Sequence, residues 1–193
     1  MKKEIRVNQI QEFRAEEVED KLQFRGYAAV FNELSEDLGG FRERISPGAF
    51  GESVLQDDVR ALFNHDPNYV IGRNKSGTLR LLEDEKGLYF EAEAPDTQWA
   101  RDLKASVDRG DINQCSFGFI AKEDDWQMEG GADTRTLQRC QLFDVSIVTY
   151  PAYTGTNVRS ASEVYQQVKS ERDEAVKQEQ QDIKLKLELY GRL

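Results

Sequence analysis

The sequence predicts a mainly β domain, either a barrel or a sandwich decorated with helices. Short segments that mix aromatic and aliphatic residues with polar ones recur over the first 150 residues. Turn residues at 84–87 and 130–131 join such segments into hairpins. Two or three helical segments interrupt the strands, and residues 160–182 are charged in both signs, without glycine or proline. These observations place the β structure before residue 150 and a helical tail after it.

The first predicted elements lie near the N-terminus. Residues 4–14 and 22–31 have the composition of strands, and residues 32–40 form a polar loop. Ser46 and Pro47 are typical of an N-cap and a first helical position. We therefore expect a short helix to begin at this point.

The middle of the chain predicts a strand, a hairpin and a helix in that order. Residues 58–65 form a short strand that ends near His65, and residues 78–94 form the first hairpin. Residues 96–110 predict the clearest helix, because Gly110 suits a C-terminal cap and apolar residues recur at i, i+4 and i+8. Those apolar residues are Trp99, Leu103 and Val107.

Residues 112–121 predict a strand with one apolar face. Cys115, Phe117 and Phe119 share that face, so we expect it to lie in the core. Ser116 then points away from the core, and the neighbouring Gly118 leaves open space beside its hydroxyl. An exposed strand serine without a chemical role is the ordinary alternative.

Residues 124–148 predict a second hairpin, whose second strand contains an acid. Phe143, Val145 and Ile147 share a face that we expect to lie in the core, and Asp144 lies on the opposite face. Aspartate is depleted in strand interiors, so an acid in this apolar strand is expected to have a partner. A surface salt bridge would satisfy the same pattern.

His65 is the only histidine among the 193 residues. A serine hydroxyl is a poor nucleophile at neutral pH unless a base removes its proton, and neutral imidazole is the usual base. The imidazole in turn needs an acceptor on its other nitrogen. Ser116, His65 and Asp144 could fill these three roles. A hydrogen-bonded histidine at a strand end is the alternative.

Bulk properties argue against several classes of function. The formal net charge of −10 argues against nonspecific binding to nucleic acid, because no excess of Lys and Arg is present. The sequence contains no apolar run of about 18 residues, and its beginning lacks the apolar segment of a secretory signal. We therefore expect no nucleic-acid partner and no membrane partner.

The residues that could bind a metal or cofactor are few. One histidine and no Cys-x-x-Cys motif predict no metal site. Residues 72–78 fail the phosphate-loop pattern because Asn74 stands where glycine is required. Cys115 and Cys140 suit a reducing cytoplasm, and the position of Cys115 on the apolar face predicts a core residue rather than a nucleophile. We expect no cofactor.

Seven segments resemble the tailed-phage prohead protease family, the capsid-maturation serine proteases that are distantly similar to herpesvirus assemblin. The resemblance runs in the same order from about residue 22 to about residue 158. The segments are GYAAVFN, FRERISPGAF, LFNHD, IGR with SGTLRL, GLYFEAEAP, DLKASVDRGDINQCSFGF and FDVSIVTYPAY.

The resemblance implies an antiparallel β-barrel surrounded by helices and a serine endopeptidase activity. Its substrates would be the major capsid protein, scaffold segments and the protease itself, cleaved inside the prohead after synthesis in the host cytoplasm. Carried over by position, Ser116 is the nucleophile and His65 the base. The herpesvirus relatives use a second histidine that this chain lacks, so we assign the third role to Asp144, with Asp66 as the rival. Gly118 or the loop at 151–155 would contribute to the oxyanion hole.

A change in composition near residue 160 predicts that the chain has two parts. Residues 1–159 would form the β-barrel protease domain, and residues 160–193 a charged helical tail with a thin apolar stripe of Val164 and Val168. Such a tail would dock the protease into the assembling shell, and a homodimer or higher oligomer is compatible with it. The alternative function is a non-catalytic capsid assembly or scaffold protein.

Overall fold

The structure is a computed structural model that describes residues 3–9, 13–150 and 154–190. The strands are β1 Glu4–Gln9, β2 Arg14–Val18, β3 Lys21–Val30, β4 Phe41–Ile45, β5 Arg60–Phe63, β6 Asp66–Arg73, β7 Leu79–Glu83, β8 Gly87–Glu93, β9 Gln114–Glu129 and β10 Ala132–Val148. The helices are α1 Gly51–Gln56, α2 Gln98–Asp108 and α3 Thr154–Tyr190, with a one-turn 3₁₀ helix at Asn74–Ser76.

The strands form two sheets that share one hydrophobic core. The larger sheet has the order β1-β9-β10-β5-β6, with β4 also pairing with β10. This sheet is mixed, because β4 and β5 run parallel to β10. The smaller sheet is antiparallel, with the order β2-β3-β8-β7. In the described part of the chain the two remain separate sheets, so the predicted closed antiparallel barrel is wrong, although the mainly β class is confirmed.

The elements with the strongest local patterns form as predicted. The hairpin of β7 and β8 and the hairpin of β9 and β10 are present. In α2 the predicted Leu103 and Val107 are buried, Trp99 is only partly buried against the core, and Ala100 is the further buried residue. Gly110 follows this helix with a φ of +82°, a conformation that glycine adopts without strain. Periodicity within a short segment was sufficient to locate these elements.

Two expectations around residue 45 are wrong or incomplete. The first helix begins at Gly51 rather than at Ser46, because residues 47–50 form a turn in which Gly48 has a φ of +87°. Strand β4 was not expected. Its alternate residues Phe41 and Ile45 are buried in the core, but the charged residues between them obscured the pattern.

A β-bulge changes the phase of β10. Leu142 lies opposite Phe119, and Asp144 lies opposite Gly118, so Phe143 is an extra residue in the ladder. Leu142 is therefore buried in the core, whereas Phe143 is only partly buried. The expectation that Phe143 shares the core face is wrong, and the expectations for Val145 and Ile147 are confirmed.

Five charged side chains at one end of the core face of the larger sheet form a cluster that we call the ion-pair cluster. Its members are Glu4, Arg6, Glu43, Asp124 and Arg135. Arg6 donates to both Glu4 and Glu43, and Arg135 donates to both of these carboxylates and to Asp124. All but Asp124 are almost fully buried, so the pairing compensates for the cost of removing charges from water.

Helix α3 begins before the predicted tail boundary at residue 159 and crosses it. Tyr165 packs against the rings of Phe41 and Trp126, and its hydroxyl donates to Asp133. Arg172 also donates to Asp133, whereas the side chains of residues 173–184 are exposed. Among the described residues, no helix is both long and apolar enough to cross a membrane.

Candidate active site

His65 lies on a two-residue turn between β5 and β6. Phe63 pairs with Asp66, so Asn64 and His65 form the turn, and their φ angles of 53° and 57° match the type I′ turns that suit hairpins. Asn64 fixes the turn to the end of β10, because its N–H donates to the carbonyl of Ile147 and its side-chain oxygen accepts from Thr149. The imidazole is thereby directed toward the outer face of the larger sheet.

Ser116 lies on β9, between β1 and β10. Its register neighbours are Val7 on β1 and Ser146 on β10. Cys115 and Phe117 point into the core, so Ser116 faces the opposite side as predicted. It is nevertheless 0% exposed, so the alternative of an exposed strand serine does not apply. Its hydroxyl lies 2.8 Å from the backbone carbonyl of Arg6 and can donate to it.

Asp144 occupies the same face and is buried, with 3% of its side chain exposed. Its Oδ1 contacts Nδ1 of His65 and accepts from the Ser146 hydroxyl at 2.8 Å. Its Oδ2 accepts from the Lys3 ammonium at 2.9 Å. Burial raises the pKa of the Asp144 carboxyl, but His65 and Lys3 outweigh burial and lower the pKa to about 2. The group is therefore a carboxylate at neutral pH.

The structure brings the three predicted site residues together. Nε2 of His65 lies 2.7 Å from Oγ of Ser116, and Nδ1 contacts Asp144. When Nδ1 carries the proton, it donates to the carboxylate and leaves Nε2 free to accept the serine proton. We call this arrangement the Ser116–His65–Asp144 line. It can move a proton from the hydroxyl to the imidazole.

Gly118 has a different role from the expected one. A Cβ at this position would lie 2.5 Å from Oδ2 of Asp144 and 2.8 Å from Cε of Lys3. The predicted open space beside the Ser116 hydroxyl is therefore occupied by the acid and the lysine. Glycine is required here because these two side chains need the room that a side chain would take.

Three neighbours of the line were not predicted from sequence. Ser146 lies 3.1 Å from Nδ1 of His65, and its position two residues after Asp144 on the same face was a usable signal. Lys3 and the carbonyl of Arg6 reach the site only because β1 pairs with β9. Arg6 and Ser116 are 110 residues apart, so no local pattern could indicate this contact.

The alternatives to the line make other contacts. Oδ1 of Asp66 accepts from the backbone N–H and the side chain of Asn68. Cys115 is buried in the core, as predicted, and burial raises the pKa of its thiol. Of the two predicted contributors to the oxyanion hole, Gly118 lies on β9, inside the sheet between β1 and β10. The other is the loop at 151–155, of which residues 151–153 lie outside the described residues. Within the described ranges, no cluster of His, Cys, Asp and Glu could hold a metal ion.

Two sequence comparisons give matches to phage proteins. Residues 9–171 match the family described as caudovirus prohead serine protease. The chain is 35% identical over 134 residues to the prohead protease of Enterobacteria phage HK97, which covers 67% of this chain and 55% of that protein. The chain thus spans little more than half the length of this curated relative.

A comparison with solved structures gives a match to the bacteriophage T4 capsid assembly protease. The TM-score is 0.48 and the sequence identity 13%. The match covers 78% of this chain and 100% of the T4 chain.

Proposed function

Since the chain belongs to the caudovirus prohead serine protease family, we propose that it is a serine endopeptidase that uses the Ser116–His65–Asp144 line. Ser116 is the nucleophile, His65 the general base and Asp144 the acid that orients the base. One observation supports this assignment above all. Both ring nitrogens of the only histidine contact the two partners that the chemistry requires.

The reaction follows from the position of each proton. His65 Nε2 takes the proton of Ser116 as Oγ attacks the scissile carbonyl, and the Asp144 carboxylate stabilises the imidazolium. The imidazolium then gives its proton to the leaving amine, and the C–N bond breaks to leave an acyl-enzyme. Water attacks the acyl group with His65 again as base, which releases the acid product and restores the serine.

Access to Ser116 requires a change at β1. Attack needs a substrate carbonyl carbon about 3–3.5 Å from Oγ. The backbone carbonyl of Arg6 lies 2.8 Å from Oγ in this structure. We propose that the part of β1 from the Arg6 carbonyl onward gives way to an extended substrate segment, which pairs with β9 and presents its own backbone to Ser116 while Lys3 stays on Asp144. Binding by strand addition suits extended, poorly ordered segments and makes few demands on side chains.

The proposed substrates are capsid and scaffold segments of an immature shell, and the chain itself. The name of one similar protein supports this choice, since it is a prohead protease. The protein would be made in the host cytoplasm and act within the prohead. A non-catalytic assembly protein is the alternative, and it would not need the line at all.

The test compares the full chain with Ser116→Ala and Ser106→Ala, incubated with purified capsid and scaffold proteins. Ser106 is a half-buried serine on α2, where its hydroxyl donates to the backbone carbonyl of Asp102, and it serves as the matched control. Ser116→Ala should abolish cleavage and Ser106→Ala should retain it, with new termini mapped by mass spectrometry. If Ser116→Ala cleaves at the wild-type rate, the assignment is wrong. If even the wild-type chain produces no new termini, the assembly protein becomes the better proposal.

We further propose that the distal part of α3 docks the protease into the shell. The family match ends at residue 171, and Tyr165 and Arg172 contact the larger sheet. A truncation after Arg172 therefore tests the tail without removing those contacts. It should spare peptide cleavage in solution and reduce packaging into proheads. Packaging equal to that of the full chain would contradict the docking role.

A further inference from the structure

Each oxygen of the Asp144 carboxylate has a partner outside the Ser116–His65–Asp144 line. Oδ1 accepts from Ser146, which follows two residues later on β10. Oδ2 accepts from Lys3, which precedes β1. We infer that Ser146 and Lys3 are positioning residues that fix this carboxylate and thereby set the tautomer and the proton affinity of His65. The inference rests on the proposed function for its relevance to catalysis, but its geometry stands independently of any activity.

Ser146 bears on the tautomer of the imidazole. It is 1% exposed, and its Oγ lies 2.8 Å from Oδ1 of Asp144 and 3.1 Å from Nδ1 of His65. A hydroxyl has one proton, and donating it to the carboxylate leaves its lone pairs to face the imidazole. That arrangement is favourable only when Nδ1 carries a proton. Nε2 is then unprotonated and faces Ser116, as general-base catalysis requires.

Lys3 bears on the charge of the imidazole. Its ammonium lies 2.9 Å from Oδ2, its stem passes over Gly118, and its charge lies 5.5 Å from the centre of the Phe143 ring. A cation that shares the carboxylate weakens the attraction between that carboxylate and an imidazolium. Lys3 therefore lowers the tendency of His65 to hold a second proton, to an extent limited by the 48% exposure of the lysine side chain.

The other groups around the imidazole are uncharged or directed elsewhere. Ser116 approaches from β9 with a neutral hydroxyl, and Ser146 from β10 with another. Asp66, the next residue in the chain, bonds to Asn68. Among the described residues in these contacts, Asp144 thus carries the charge that contacts His65, and Lys3 the charge that contacts Asp144.

The test follows the imidazole ¹⁵N signals of the untagged full chain by NMR, which report on a single residue because His65 is the only histidine. All samples carry Ser116→Ala so that self-cleavage cannot shorten them. Lys3→Met should move the titration midpoint of the imidazole to higher pH, equivalent to about a three- to tenfold gain in proton affinity. Lys3→Arg should restore the parent midpoint.

The matched control is Lys21→Met, because Lys21 forms a 3.0 Å ion pair with Glu93 in the smaller sheet. It should leave the midpoint unchanged. An unchanged or lowered midpoint in Lys3→Met would overturn the role of the lysine. If Lys3→Met and Lys21→Met shift the midpoint equally while Lys3→Arg does not, the effect is one of net charge and the positioning role is also wrong.

Ser146→Ala should reduce the share of the Nδ1–H tautomer, read from the separation of the two ¹⁵N shifts at high pH, and Ser146→Thr should restore it. With Ser116 intact, Ser146→Ala should lower kcat about tenfold with little change in KM. An unchanged tautomer ratio would overturn the role of Ser146. If the NMR results hold but no variant cleaves any substrate, the proposed protease function fails while the positioning of Asp144 by these residues stands.

Discussion

Strand β1 joins two buried polar clusters that lie on opposite faces of the larger sheet. Its residues Glu4 and Arg6 belong to the ion-pair cluster on the core face, where the Arg6 guanidinium also covers the Phe119 ring. Lys3, just before the strand, reaches Asp144 on the outer face. Both clusters are buried and fully hydrogen-bonded at their centres. Only the outer one has the residues for chemistry.

The difference lies in whether a proton can move near neutral pH. The ion-pair cluster is built from two guanidiniums, which do not deprotonate in proteins, and three carboxylates. Burial raises the pKa of Glu4, but Arg6 and Arg135 outweigh it and lower that pKa overall, so its proton is absent. The outer cluster contains an imidazole between a hydroxyl and a carboxylate. Burial and pairing are thus common to both clusters, and a proton that can move near neutral pH distinguishes the proposed active site from the ion-pair cluster.

The largest expected effect is on the outer cluster. Asp144→Asn should lower kcat/KM for a peptide substrate by about 10²–10⁴, because the orienting acid fixes the tautomer and stabilises the imidazolium. The control is Asp66→Asn, which should stay within about threefold of wild type, since Asp66 bonds to Asn68. If the two variants rank in the opposite order, the role of the acid belongs to Asp66.

The second effect is on the ion-pair cluster and concerns stability. Arg135→Met should lower the free energy of unfolding by about 3–5 kcal/mol, because it leaves buried carboxylates without a partner. The measurement is denaturant unfolding followed by fluorescence. Arg80→Met is the matched control, since Arg80 is 73% exposed and pairs with Glu91 at 3.4 Å. It should cost less than about 1 kcal/mol, and equal losses in the two variants would contradict the structural role of the cluster.

The smallest effect concerns pH, and it tests what Asp144 contributes to the stability of the fold apart from its proposed role in catalysis. Its pKa falls from 3.8 to about 2 in the folded chain, so its stabilisation is fully present above pH 4 and is lost as the pH falls through 2. The stability difference between wild type and Asp144→Asn should therefore shrink by about 2–3 kcal/mol over that interval. A difference that stays constant from pH 5 to pH 2 would show that His65 and Lys3 do not hold the carboxylate.

Sequence periodicity predicted the parts of the fold that depend on neighbouring residues. The helix α2, the two hairpins and the outward direction of Ser116 and Asp144 all follow from patterns within short segments. His65 could be selected because it is the only histidine, and Asp144 because an acid is unusual in an apolar strand, whereas the choice of Ser116 depended on these partners and on the family resemblance. Their proximity then came from the pairing of β9 with β10 and of β10 with β5.

What the sequence could not predict depends on distant contacts and on irregular backbone. The pairing of β1 with β9 brings the carbonyl of Arg6 to Ser116 and leaves the serine with no exposed surface. Whether strands close into a barrel depends on the order of all of them, which no local pattern gives. The barrel was therefore wrongly expected. The bulge at Phe143 places Leu142 in the core. The sequence pattern missed this because a two-residue period cannot anticipate an extra residue.

The bulge also has a consequence for how this chain tolerates changes in length. Removing one residue from a regular strand turns every later side chain to the other face. Here Phe143 is the extra residue of the bulge. Without it, Leu142 and Asp144 would be adjacent in the chain and would keep their present partners, Phe119 and Gly118. A deletion at this single position would therefore keep the core and the acid on their present faces. The strand that bears the acid can be shortened by one residue without exchanging its two surfaces.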